Sequence, residues 1–320
     1  MRMVLAYDGS GFRGFARQPG QRTVAGELAR AISNFCRHDV ELVCAGRTDS
    51  GVHAQGQVVQ ADVAPSVDPV ALRRAINRQL SPEVVVRSLV AAPAGFDARH
   101  SARSRSYRYL VLEAPEPDPL LAGFVWHVAD ELDLRAMRAA ADALLGEHDF
   151  RAFCRRPPGY PQDAPITRRI LETRWSVASF LDRELGELGD LRSMRDQGEG
   201  SGSGTAGSGA GSGTAGSGAA GSGAGSGAAG SGPGGSGPGS GAAGSGPGGA
   251  DSGRLLRFDV RATSFCHQMV RSIVGVLVEV GRGRMRPSDV PRLLESGSRA
   301  GAKVLAPPHG LCLIGVDYEG

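Results

Sequence analysis

The sequence predicts an α+β fold in which two ferredoxin-like (RRM-like) halves share one mainly antiparallel sheet. Strand-like and helix-like segments recur in two successive sets with two helices each. The chain has 320 residues, of which 41% are hydrophobic, and this is enough for a sizeable core. The first set ends near residue 103, so we place the halves at 1–103 and 104–320.

The first half is predicted as strand, helix, two strands, helix and strand. Thr23 is a possible N-cap for the first helix, whose apolar residues recur at helical spacing. Asp68-Pro69 begins the second helix, and Ser81-Pro82 ends it. The strands are predicted over Met3–Asp8, Glu41–Ala45, Gln55–Val63 and Val84–Ala92.

The second half repeats this alternation and has an additional short helix near its end. A helix is predicted behind Asp133, and Pro287 and Ser288 begin a short last helix. The most apolar helix is predicted over Ser264–Val280, with an apolar face and, on the opposite face, His267, Gln268 and Arg271. The strands are predicted over Ser106–Glu113, Leu171–Val177, Leu255–Arg261 and Leu311–Tyr318.

A segment of very simple composition interrupts the second half. Residues 201–250 are all Gly, Ser, Ala, Thr or Pro. Such a composition cannot bury a core, and we expect a disordered, flexible insertion at about 198–253 with a reach of roughly 40 Å. Because closing a longer loop costs little extra entropy, the insertion is expected to connect paired strands.

The composition favours a cytoplasmic protein. The five cysteines are odd in number and scattered, without metal-ligand spacing, which fits a reducing cytoplasm. No apolar run reaches the length of a membrane span, and the N-terminus does not read as a signal peptide. The sequence therefore predicts neither membrane insertion nor secretion.

The basic residues are almost all arginines. Lys303 is the only lysine among the 36 basic residues, although the formal net charge is only +3. Genome base composition explains this bias as well as function does, but arginine also forks onto phosphate and stacks on bases. Four arginines cluster with aromatic residues in one short segment, and they are Arg99, Arg103, Arg105 and Arg108.

The segment Gly9–Gly14 matches the glycine pattern of dinucleotide-binding loops. The context differs, because Gln18-Pro19-Gly20 intervenes before the next helix and no acidic residue ends a second strand at the expected distance. A nicotinamide-dependent dehydrogenase would need a helix directly after Gly14. A glycine loop that carries an arginine and lies beside an active-site cleft is the better interpretation.

The segment AGRTDSGVHAQGQV, residues 45–58, contains the most informative carboxylate. Asp49 lies between two predicted strands, two residues after Arg47, in a turn that also contains Thr48 and His53. An Asp in such a turn often has only a structural role. However, functional groups concentrate on loops, and a nearby guanidinium keeps a carboxylate ionised as a nucleophile or base.

The rest of the sequence favours a reaction without water activation or redox chemistry. No second acid is marked as a glycosidase partner, and there is no P-loop, nucleophile elbow or metal cluster. An isomerisation fits this inventory.

The motif around Asp49 resembles the signature of the tRNA pseudouridine synthases that act on tRNA positions 38 to 40 in the anticodon arm. Further segments match in the same order along the chain. These are YDGSGFRGF from Tyr7, FDARHSARSRSYRY from Phe96, GEHDFRAF from Gly146, SFCHQMVRSIVG from Ser264 and APPHGLCL from Ala306. The resemblance covers the chain apart from the Gly/Ser segment, and it departs from the family at Arg17 and Cys266.

The resemblance implies specific roles. Asp49 would be the essential carboxylate, Arg47 its ion-pair partner, Tyr107 the aromatic residue that stacks on the target uracil, and Arg271 an arginine that faces the active site. It implies no cofactor and no metal, a homodimer, and tRNA crossing a basic cleft between the halves. His53 is expected to be structural.

We therefore interpret the sequence as a tRNA pseudouridine synthase of the cytoplasm. The alternative is an RNA-binding protein that has kept the fold and lost the chemistry. Turnover separates these interpretations, whereas tRNA binding does not.

Overall fold

The computed structural model describes residues 1–156, 159–161, 164–178 and 253–318. These ranges contain ten strands that form a single sheet. The strands are β1 (Arg2–Tyr7), β2 (Leu42–Cys44), β3 (His53–Ala61), β4 (Val84–Val90), β5 (Ser104–Glu113), β6 (Trp126–Val128), β7 (Gly146–Asp149), β8 (Thr167–Ala178), β9 (Arg254–Ala262) and β10 (Leu311–Asp317).

The same ranges contain five α-helices, so the α+β class is confirmed. The helices are α1 (Val24–Cys36), α2 (Pro69–Leu80), α3 (Leu134–Asp142), α4 (Met269–Gly281) and α5 (Asp289–Ser296). The insertion predicted at 198–253 lies outside the described residues except for Gly253.

The sheet is mainly antiparallel and continuous. Eight strands follow the order β4-β1-β3-β10-β5-β9-β8-β7, while β2 pairs with β3 and β6 pairs with β5. Among the described strands, only the β3–β10 and β5–β6 pairs are parallel. The last strand, β10, therefore lies between β3 of the first predicted half and β5 of the second. The described residues of both predicted halves belong to one compact unit, and the boundary near residue 103 stays a prediction.

Side-chain capping explains why the first helices begin where the sequence predicts. Thr23 Oγ1 accepts a hydrogen bond from the backbone N–H of Gly26, and the Asp68 carboxylate accepts two from Val70 and Ala71. Each cap satisfies donors that the first helical turn leaves open and contributes about 1 kcal/mol. Asp133 caps α3 in the same way.

The prediction for the apolar helix was wrong at its start and in its burial. The helix begins at Met269 instead of Ser264. Gln268 adopts a left-handed conformation with φ 66°, so the helix cannot extend from Met269 back toward Ser264. Its apolar residues are buried on nearly every side, including Val274 and Val278, so α4 is a central core helix and not an amphipathic one. Arg271 and Glu279 are its partly exposed positions.

The short strands β6 and β7 were not predicted. Each has at most four residues, and neither shows a clear alternation of polar and apolar side chains. None of the helices in the described ranges is both long and apolar enough to cross a membrane.

Candidate active site

The Asp49 loop connects β2 to β3, and hydrogen bonds within a buried polar cluster of Tyr7, Thr48 and Gln57 hold it in place. Tyr7 and Thr48 share a hydrogen bond of 2.8 Å between their hydroxyl groups. The amide of Gln57, on β3, donates to the Gly46 carbonyl at 2.7 Å. Because Thr48 is buried and anchored, the next residue, Asp49, turns outward, and its side chain is 27% exposed.

The glycine loop after β1 packs directly against the Asp49 loop. A Cβ on Gly9 would lie 2.0 Å from the Val52 carbonyl oxygen. Gly14 adopts φ 89°, and a Cβ there would lie 2.9 Å from the Thr48 carbonyl oxygen. The N–H of Phe15 donates to this Thr48 oxygen at 3.0 Å. The glycines thus allow two backbones to touch.

This arrangement contradicts the dehydrogenase interpretation of Gly9–Gly14. Helix α1 begins at Val24, well after Gly14, whereas a dinucleotide-binding loop leads directly into its helix. The glycine loop lies beside the Asp49 loop, and its expected position beside an active-site cleft stays a prediction. His53 is buried, and its ring nitrogens lie 3.1 Å from the Gly9 amide and 3.1 Å from the Gly123 carbonyl oxygen, as expected for a structural residue.

Two cationic or ionisable side chains approach the Asp49 carboxylate. Arg271 Nη1, from α4, lies 3.5 Å from Asp49 Oδ2, and His267 Nε2 lies 3.4 Å from Asp49 Oδ1. The Arg271 guanidinium is held in place because its Nε donates to the Ala306 carbonyl at 2.8 Å. The carboxylate therefore lies between a permanently charged group and an imidazole.

Tyr107 lies on β5 next to this pair. Burial, and secondarily the negative charge of Asp49, raises the pKa of Tyr107 above its ordinary value, so its phenol stays protonated. Its ring packs edge-on against Phe265, with 5.1 Å between the ring centroids. Tyr109, two residues further, is fully buried and donates to the Pro307 carbonyl, so it belongs to the core.

Arg105 links the segments around the site. Its guanidinium donates to four carbonyl oxygens at 2.8–3.0 Å, and these belong to Ala45, Arg99, Ala102 and Thr263. Ala45 begins the Asp49 loop, and Thr263 begins the segment that leads to His267. Among the clustered arginines, Arg105 is therefore occupied by backbone groups, and Arg108 forms an ion pair with Asp259 at 2.9 Å.

Comparison with known proteins identifies the family. The family model described as tRNA pseudouridine synthase matches residues 3–101 and 140–319. The chain belongs to the tRNA pseudouridine synthase family.

Several curated relatives support this membership over nearly the whole length of the chain. The chain is 36% identical to a tRNA pseudouridine synthase A of Frankia casuarinae, over 99% of this chain and 89% of the relative. It is 34% identical to the protein of the same name from Methylobacterium nodulans, over 99% and 95%. The corresponding protein of Cutibacterium acnes is 33% identical, over 99% and 88%. The chain is thus a pseudouridine synthase, an isomerase.

The structure brings together some of the site residues predicted from the sequence of this pseudouridine synthase. Asp49 and Arg271 are in contact, and Tyr107 lies within electrostatic range of Asp49. Arg47 is exposed, and across the described ranges no ion pair joins it to Asp49. Its role as ion-pair partner therefore stays a prediction.

The sequence did not single out His267 or Arg105 as residues that build the site. His267 was placed on the polar face of a helix, but it precedes the helix. Its neighbour Cys266 forms a disulfide with Cys154, with 5.8 Å between the Cα atoms and a sequence separation of 112. The segment SFCHQMVR contains the polar pair His267 and Gln268 directly after a cysteine, and this pair could have marked His267 as a candidate site residue. No sequence pattern predicts that Cys266 pairs with the distant Cys154.

Proposed function

We propose that this pseudouridine synthase isomerises uridine to pseudouridine at positions 38, 39 and 40 in the anticodon stem-loop of tRNA, with Asp49 as the nucleophile. The observation that carries the proposal is the fixed carboxylate of Asp49, which lies 3.5 Å from the Arg271 guanidinium in a loop whose neighbouring Thr48 is anchored. The names of the curated relatives and the motif around Asp49 support the tRNA substrate.

The reaction moves one glycosidic bond within the same nucleotide. The bond between uracil N1 and ribose C1′ breaks, the base turns, and a bond between C5 and C1′ forms. Asp49 would attack either C6 of the base or C1′ of the ribose, and it would be released unchanged. Since the carboxylate does not have to reorganise, preorganised charge around it supplies much of the rate.

The target base has to leave its stack to reach Asp49. An aromatic face and a guanidinium plane compensate for the stacking that a flipped base loses. We assign the aromatic contact to Tyr107, which is 8% exposed before substrate binds, and a polar contact to Arg271. Arg47 is exposed beside Asp49 and is suited to contact the RNA at the entrance.

The family resemblance supports a proposal for the assembly and the location of the enzyme. We propose a homodimer that binds the tRNA anticodon arm in a basic cleft between the two halves. We also propose that the enzyme acts in the cytoplasm, where its substrate is found, and that it uses no cofactor.

Replacement of Asp49 tests the function. Asp49→Asn keeps the size of the side chain but removes the nucleophile, so we expect pseudouridine formation to fall by roughly 10³-fold or more, as for other residues central to catalysis. The affinity for tRNA should change by less than about threefold, because an anionic carboxylate does not attract the phosphates that dominate binding to nucleic acid. Both are measured with unmodified tRNA, by mapping pseudouridine and by equilibrium binding at fixed salt.

Asp39→Asn is a matched control, since Asp39 is an exposed carboxylate outside the site. It should leave the rate unchanged. Equal amounts of pseudouridine from the Asp49→Asn variant and the unaltered enzyme would refute the role of Asp49. Tight tRNA binding without any product from the unaltered enzyme would instead favour the inactive RNA-binding protein.

A further inference from the structure

The proposed reaction contains a proton transfer that Asp49 alone does not account for. Whichever carbon Asp49 attacks, C5 of the uracil carries both a hydrogen and the new bond to C1′ after the base has turned. This proton leaves C5, and N1, which has lost its sugar, gains one. The net change is a proton shift from C5 to N1, and it needs a group that accepts the proton beside the base.

The side chains around Asp49 differ in their ability to accept that proton. Arg271 keeps its proton, and the raised pKa of Tyr107 leaves its phenol without basic character near neutral pH. Asp49 is bonded to the nucleotide or has just been expelled from it. An imidazole can take up and release a proton at neutral pH, and His267 Nε2 lies 3.4 Å from Asp49 Oδ1.

His267 is both accessible and held in position. Its side chain is 45% exposed, so a base bound beside Asp49 can reach it. Its own carbonyl accepts a hydrogen bond from the Arg155 N–H at 2.9 Å, and the disulfide fixes the preceding Cys266 to Cys154. The following Gln268 accepts a hydrogen bond from Arg299 at 2.9 Å.

These contacts come from two separate parts of the chain, around Cys154 and Arg155 and at Arg299. A surface side chain of a regular helix would need none of them. The segment before α4 is therefore built to present His267 to Asp49, although a continuous helix was predicted there.

We propose that His267 is a further catalytic residue, which accepts the C5 proton of the turned uracil. The proposal rests on the proposed function of Asp49. When the C5–C1′ bond forms and the Asp49 carboxylate is free again, its negative charge lies beside the imidazole and stabilises the imidazolium. N1 then receives a proton, either directly from the imidazolium or from a water molecule that is reprotonated by the imidazolium. His267 is neutral again in both cases, and no atom is gained or lost.

Isotope substitution at C5 tests this role directly. Single-turnover rates are measured with tRNA that carries either hydrogen or deuterium at C5 of uridine. In the unaltered enzyme we expect the rates to be nearly equal, because proton removal is fast. In His267→Gln the rate should fall on the order of 10²-fold, and a normal primary isotope effect should appear because proton removal has become slow. Affinity for tRNA should stay within about threefold.

Chemical rescue and two other histidines sharpen the experiment. Added imidazole should restore part of the rate of His267→Ala, since it replaces the missing base. His38→Gln is the matched control, because His38 is exposed and its ring contacts the carbonyl of the adjacent Asp39, and it should behave like the unaltered enzyme. His309 is within electrostatic range of Arg271, and an isotope effect in His309→Gln and not in His267→Gln would overturn the assignment.

The outcomes separate this inference from the proposed function. A His267→Gln variant that turns over at the unaltered rate would overturn the inference. So would a slow variant whose rate is the same with hydrogen and deuterium, because His267 would then only position Asp49. Absence of pseudouridine from the unaltered enzyme would refute the proposed function itself.

Discussion

Arg105 shows how one side chain can link the backbone segments around the candidate site. A guanidinium has five N–H donors in a rigid plane, and here two of its nitrogens bond four backbone carbonyls. Two of these carbonyls, at Ala45 and Thr263, belong to the segments that carry Asp49 and His267. The Arg105 guanidinium is partly buried. Because a buried charge is costly without hydrogen-bond partners, the guanidinium depends on these four bonds.

Arg105→Lys keeps the positive charge but removes the planar guanidinium, so it tests whether the hydrogen bonds to the carbonyls are what matters. An ammonium group cannot reach four carbonyls in a plane, so about two or three hydrogen bonds of about 1 kcal/mol each are lost. We expect the free energy of unfolding to fall by about 2–3 kcal/mol, and kcat to fall more than tRNA affinity. Denaturant unfolding and single-turnover assays measure these effects.

Arg30→Lys, an exposed substitution on α1, is the control and should change neither quantity. Unfolding and turnover of Arg105→Lys that match the unaltered enzyme would show that the carbonyl contacts are not important.

Only part of the site could be predicted at the level of residues. Asp49 was proposed from its own turn, which combines special residue types within a few positions, whereas Arg271 was proposed from the resemblance of its motif to the family. His267 and Asp49 are in contact although they lie far apart in the chain. This contact depends on the left-handed conformation of Gln268, which no periodic sequence pattern indicates. The four contacts of Arg105 are equally hard to infer from local patterns.

At the scale of elements, the disulfide ties the segment before α4 to the short turn after β7. Cys154 is buried, and Cys266 precedes His267, so the covalent link restrains the proposed proton acceptor. Disulfides persist in oxidising surroundings, whereas a cytoplasmic enzyme at rest would hold the two thiols reduced. Activity would then respond to the oxidation state of this pair.

Cys154→Ser in the oxidised enzyme should lower both stability and turnover. Loss of a disulfide that closes a long loop costs about 2–4 kcal/mol, and a less restrained His267 should slow the reaction. Thermal unfolding and single-turnover rates are compared with and without a thiol reductant. The reductant should affect the unaltered enzyme and not the variant.

Cys36→Ser is the control, because Cys36 is a free cysteine on α1. Equal melting temperatures of the unaltered enzyme under oxidising and reducing conditions would contradict the expected stabilisation.

The success of the element predictions depended on local signals. Helices with a strong cap, such as α1 behind Thr23, were predicted within a residue of their start. The start of α4 was placed too early, because apolar periodicity continues through Phe265 while the backbone there is not helical. The strands β6 and β7 depend on neighbours that are distant in sequence, and they are too short to have a pattern of their own.

At the scale of the whole molecule, the simple-composition insertion joins two strands that are neighbours in the sheet. Ala178 at the end of β8 pairs with Leu255 at the start of β9 in an antiparallel ladder. The two ends are therefore already adjacent, and a short turn can connect them. The sequence predicted two halves on one sheet, but the strand order depends on contacts between distant segments and could not be read from local patterns.

Replacing residues 201–250 with a short Gly-rich turn should preserve folding and pseudouridine formation. Shortening a flexible loop changes its closure entropy only logarithmically, by about 0.6 kcal/mol per halving. Melting temperature and single-turnover rate should stay close to those of the full chain. A folded deletion variant with a large loss of activity would show that the insertion contributes to catalysis or to tRNA binding.

The position of β10 has a consequence for synthesis of the protein. β3 and β5 are translated early, but the strand between them comes from residues 311–317. While the ribosome is still making the chain, the facing edges of β3 and β5 lack this partner, and their unpaired backbone groups are open to pairing with other nascent chains. Premature termination before Leu311 would therefore yield an aggregation-prone fragment and not a smaller enzyme.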